Sequence, residues 1–156
     1  MKLAEALTLR ADLQKRLAQL RERLKRNAKV QEGDTPAEDP RELLAELDTA
    51  TEELASLIAR INLTTCRATT VWNGAELTLT ALIARRDALT LKVAALRDFL
   101  AEASAKTDRY SAKEIRILST VPVAEQQKRL DALSRDLRLL DTELQRMNWT
   151  VELVEA

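Results

Sequence analysis

Leucine spacing predicts most of this fold. Leu13, Leu17, Leu20 and Leu24 follow one another at steps of four, three and four, which puts them on one helical face. The first helix is therefore expected from about Lys2 to Val30, stopping near Gly33. A second stripe, Leu43, Leu47, Ala50, Leu54, Leu57 and Ile61, alternates steps of four and three and fades near Cys66. A third runs through Leu82, Leu89, Val93, Leu96 and Leu100 and ends near Lys106. The fourth begins near Pro122 and holds the rhythm from Leu130 through Leu133, Leu137, Leu140, Leu144 and Met147 to Val151.

The stretches between these stripes carry their own signals. Asp39 reads as an N-cap, with Pro40 at the first helical position and Glu42 three residues on, a capping box with aspartate in place of Ser or Thr. Asn73-Gly74 stands between two short β-leaning runs. It is the strongest two-residue hairpin turn, because both positions accept positive φ. Thr69 to Trp72 and Ala75 to Thr78 are its expected arms. Thr78 then caps the third helix, with Leu77 and Leu82 stapled around it. Residues 107–123 fit a loop, a short strand or a helical turn at Ile115 to Leu118.

Four long helices with apolar seams and modest connections predict an all-α fold. The expectation is an antiparallel bundle of four helices with a short β-hairpin between helices 2 and 3, one domain over residues 1–156. Burying each leucine contributes roughly 1.5–3 kcal/mol, and mutual packing of the seams achieves it. With only Phe99, Tyr110, Trp72 and Trp149 as aromatics, the core must be aliphatic.

Charge adds pairing information. Lys plus Arg is 25 and Asp plus Glu is 25, so no global field points to nucleic acid or an anionic membrane. Residues 1–29 hold nine basic and three acidic side chains, and residues 31–53 hold nine acidic and one basic. Opposite charges on neighbouring segments favour an αα-hairpin and set its register. A basic arm for nucleic acid is the lesser reading of the same pattern. The absence of any continuous apolar run at the start, and a lone Cys66, point to the cytoplasm of a prokaryote.

The residue inventory excludes several chemistries. With no histidine there is no Ser-His-Asp triad and no Glu-x-x-His ligand pair. One cysteine makes no zinc site, and no glycine-rich phosphate loop exists. The acidic loop of Glu32, Asp34, Glu38 and Asp39 lacks EF-hand spacing. No catalytic residue, metal ligand or cofactor is assigned, and the inventory leans away from an enzyme. What remains is polar residues on apolar seams. Extending the first rhythm places Arg10 upstream and Asn27 and Gln31 downstream, and the third requires Arg86. In an up-down bundle Arg10, Asn62, Arg86, Glu143 and Asn148 gather at one pole. They form either a structural ion-pair layer, with Glu143 as the partner of Arg86, or an anion or small-ligand site.

The segments "NAKVQEGDTPAEDP", "DRYSAKEI" and "NWTVEL" resemble motifs of a bacterial family of small helical proteins known as septicolysins or left uncharacterised. The resemblance covers nearly the whole chain. It implies a helical fold, and its name implies membrane activity. The chain itself shows no export signal and no membrane-spanning run. The leading expectation is a cytoplasmic, homo-oligomeric helical scaffold, without nucleic-acid or membrane partners. Its interface is expected at Val71, Trp72 and Leu77 of the hairpin, because an isolated two-stranded hairpin is marginal in water. The alternatives are the ligand site around Arg10 and Arg86 and, last, a membrane-active protein.

Overall fold

The computed structural model describes residues 1–105 and 116–155. Among the described residues four helices form, α1 (Leu3–Arg26), α2 (Pro40–Arg67), α3 (Leu79–Ser104) and α4 (Val123–Thr150), and strands β1 (Thr69–Trp72) and β2 (Ala75–Thr78) separate α2 from α3. The all-helical expectation with one hairpin is met. Every glycine and proline lies outside a helix interior. Pro40 is the first residue of α2, Pro122 immediately precedes α4, and Gly33, Pro36 and Gly74 lie in connections. Uninterrupted chains of good helix formers explain helices of this length. The "DRYSAKEI" segment lies outside the described residues. Arg116 to Leu118, within the ambiguous connection, belong to no helix or strand.

The described residues fall into two compact units. One comprises residues 1–79 with the C-terminal segment from Gln145, and the other comprises Thr80–Leu144. In the first unit α1 and α2 form an antiparallel helical hairpin. Leu20, Leu43 and Ala50 are buried there, with Leu17, Leu24 and Leu47 packed against them. The charge pattern does what opposite signs predict. Arg16 Nη2 meets Glu46 at 3.0 Å, and Arg23 Nε lies 3.1 Å from both Glu38 oxygens.

The first helix is shorter than its leucine rhythm suggests, ending at Arg26 rather than near Val30. Asn27 ends it. Its backbone N–H donates to Arg23 O and Leu24 O, its Nδ2 donates to Arg23 O at 2.8 Å, and its Oδ1 accepts from the Glu38 N–H at 3.0 Å. A buried asparagine thus closes one helix and holds the following loop against it. Asp39 caps α2 as expected, accepting from Arg41 N at 2.9 Å.

The "NWTVEL" segment closes the first unit. Leu3 N donates to Val151 O at 2.9 Å, Leu153 N donates to Met1 O at 2.8 Å, and Lys2 pairs with Glu152. Val154 is held from both sides of its peptide. Its N–H donates to Thr64 Oγ1 at 3.0 Å, and its carbonyl accepts from Arg60 Nε at 3.0 Å. Thr64, 2% exposed, also donates to Arg60 O, so its buried hydroxyl is satisfied. In the second unit α3 and α4 pair antiparallel. Val93, Leu100 and Leu130 are buried, with Leu89, Leu96, Leu133 and Leu137 against them.

Candidate interaction surface

The hairpin turns at Asn73 (φ 49°) and Gly74 (φ 79°), both left-handed, as a type I′ turn requires. Cα partners are Thr69 with Thr78, Thr70 with Leu77, Val71 with Glu76, and Trp72 with Ala75. Directly opposed residues share a face, so Thr70, Trp72, Ala75 and Leu77 lie on one side and Thr69, Val71, Glu76 and Thr78 on the other. The second side is tied across the strands by Thr69 Oγ1, which donates to Glu76 Oε1 at 2.8 Å. The first side takes a long bond from α4, Arg146 Nη2 to Thr70 Oγ1 at 3.4 Å.

This alternation decides which hairpin residue stands in water. Of the three expected interface residues, Trp72 and Leu77 are half-buried on the side that carries Thr70. Val71, on the opposite side, is 69% exposed. Trp149, three residues past Arg146 on α4, is 62% exposed. The leucine rhythm does not single out Trp149, which lies off the α4 seam. The available signal was its size at a position outside that seam.

The residues expected at the polar pole divide between the two units. Arg10, Asn62 and Asn148 belong to the first unit. Arg10 is half-buried in line with Ala6 and Leu13, where the extended rhythm places it. Asn62 is exposed, and its backbone carbonyl accepts from Thr65 Oγ1. Asn148 is half-buried. No hydrogen bond among the described residues joins these three side chains to one another.

Arg86 and Glu143 belong to the second unit. Arg86 lies 2.8 Å from Asp87 Oδ1 and 4.0 Å from Asp141 Oδ1. The carboxylate adjacent in sequence and the one two residues before Glu143 on α4 neutralise it. Gln31 is exposed rather than part of a seam, since α1 ends before it.

Two electrostatic features stand out. The hydrogen bond from Arg23 holds the Glu38 carboxyl below the ordinary carboxylate range. Lys2 does the same for Glu152, helped by the Met1 amino group. An open groove of about 440 Å³ runs beside α1, lined by Ala18, Gln19, Glu22, Arg23 and Arg26. Arg23 there is already committed to Glu38. Among the described residues no helix is long and apolar enough to cross a membrane.

The chain belongs to a family of unknown function (DUF6847), whose model matches residues 10–153. It is similar to a solved structure described as a functionally unknown conserved protein from Corynebacterium diphtheriae. That similarity runs to 38% sequence identity over 99% of each chain, with a TM-score of 0.83. No curated protein matches the chain. Neither finding carries the septicolysin name that the motif resemblance suggests.

Proposed function

We propose that this member of a family of unknown function is a self-associating helical scaffold that presents its β-hairpin to a second copy. The observation that carries the reading is Val71, 69% exposed on the outward side of a two-stranded sheet. Two four-residue strands are marginal as an independent element. A partner that covers Val71 would bury apolar surface that now stands in water. Trp149, at 62% exposure, adds a large aromatic to the same unit, and aromatic side chains are favoured at the centres of interfaces. Balanced charge, 25 basic against 25 acidic residues, supports association between like copies. On this reading the protein works in the cytoplasm, where Cys66 stays a thiol.

The ion pairs of Arg86 favour a structural role for that residue over capture of a ligand, because its charge is already met within the chain. The experiment is sedimentation velocity on wild type and Val71→Asp, with circular dichroism as a control. The variant should shift toward smaller species while keeping its helicity. Identical sedimentation of both proteins would remove the hairpin from the interface.

A further inference from the structure

α3 differs from the other helices in being apolar on two opposite faces. Its seam, through Leu82, Leu89, Val93, Leu96 and Leu100, packs inward. On the reverse side Ala84, Ala88, Leu91, Ala95 and Phe99 recur at steps of four, three, four and four, and all five are exposed. Leu91 is 73% exposed and Phe99 45%. A helix that is hydrophobic all round is ordinarily buried all round. Leu91 stands near the middle of the stripe with alanines on both sides, which let a second helix approach closely.

The flanks of the stripe say what covers it. At 3.6 residues per turn, Asp87 and Asp98 border one side and Arg85 and Lys92 the other, and all four are exposed. Asp87 also carries Arg86 of its own chain, and remains 63% exposed. Two such faces laid parallel bring the acidic flank of each against the basic flank of the other. Asp87 then lies five residues below Lys92 of the second copy, the spacing at which charges pair across parallel helices. Laid antiparallel about Leu91, the same faces bring Asp87 toward Asp98 of the second copy, a like-charge meeting. The pattern is complementary to itself in one direction only.

We infer that the outer face of α3 is a second self-association surface, taken by α3 of another copy in parallel alignment. The inference rests on the self-association reading but uses residues distant in sequence from the hairpin, so the two fail separately. Leu91→Glu should weaken association roughly thirtyfold or more, as loss of a hot-spot residue does. Direction is read by cysteine cross-linking in a Cys66→Ser background. Leu91→Cys should form a disulfide-linked dimer on mild oxidation, and so should Ala88→Cys, because parallel alignment sets each residue beside its own copy. A cross-link at Leu91→Cys without one at Ala88→Cys means antiparallel pairing and overturns the inference. So does association unchanged by Leu91→Glu. If Val71→Asp alone dissolves the oligomer, the hairpin reading stands and the α3 surface falls. If Leu91→Glu alone dissolves it, the α3 surface stands and the hairpin reading falls. A wild type that stays monomeric at every concentration overturns both.

Discussion

α2 and α3 are similar in length, and both carry a leucine-rich seam. They differ on the reverse side. Opposite its seam α2 presents Asp48, Glu52 and Ser56 to water, while α3 presents Ala88, Leu91 and Ala95. α2 is thus finished as a surface helix. Its apolar stripe is covered by α1, and Glu46 meets Arg16. α3 is finished on one side only. Scattered exposed leucines are normal on a protein surface, and contiguity is what gives an apolar patch meaning. The contrast separates residues that hold the fold from residues available for something else.

Substitutions sharpen that separation. Leu20 is fully buried between α1 and α2, so Leu20→Ala should cost about 2–5 kcal/mol in chemical unfolding. The matching change on the reverse of α3, Leu91→Ala, should stay within about 0.5 kcal/mol at concentrations low enough to keep copies apart. If the two cost the same, the contrast between covered and uncovered faces is broken.

Asn27→Ala comes next. It removes the acceptor of the Glu38 N–H and the side-chain cap of α1, and should cost about 1–3 kcal/mol. Gly74→Ala forces a side chain into φ 79°, and should cost about 1–2 kcal/mol. No neighbouring atom stands within 4 Å of the added Cβ, so the cost is conformational rather than steric crowding. Thermal denaturation checks both.

The smallest effect is the pH dependence of the first unit. Glu38 and Glu152 have carboxyls held below their ordinary value by Arg23 and Lys2. Each binds a proton more readily unfolded than folded. Their contribution is therefore complete above the ordinary glutamate value and is lost as pH falls through the depressed folded value. Glu38→Gln should flatten the fall of melting temperature on that acid limb and leave its slope near neutrality unchanged. An unchanged acid limb would mean that the Arg23 pair does not matter in solution.

Much of this fold was legible because its rules are local. A 3.6-residue period can be read from a few turns, and Asp39-Pro40 and Asn73-Gly74 declare a helix start and a hairpin turn within two residues. The helix 1 stop was missed because Asn27 works through Glu38, eleven positions away, and the leucine rhythm carries no sign of that bond. The ion pairs of Arg86 with Asp87 and Asp141 carry no mark in the leucine rhythm, because the rotation of α4 about its own axis decides which of its acidic residues comes near α3. The clasp from Thr64 to Val154 spans ninety positions and has no local mark at all.

The candidate surface was half legible. The sequence groups Val71, Trp72 and Leu77 together, but the side of the hairpin that carries Thr70 takes a bond from Arg146, and that leaves Val71 the most exposed of the three. The stripe on the reverse of α3 was written in the sequence from Ala84 to Phe99. One seam per helix is enough to pair α3 with α4, so the second stripe leaves no trace in the fold.

Sedimentation velocity of wild type decides whether the protein self-associates. Measured over a hundredfold dilution from high micromolar concentration, the protein should sediment faster than a 17.6 kDa monomer at the top of the range. It should slow toward the monomer value at the bottom. A single monomer-sized boundary at every concentration would contradict the account.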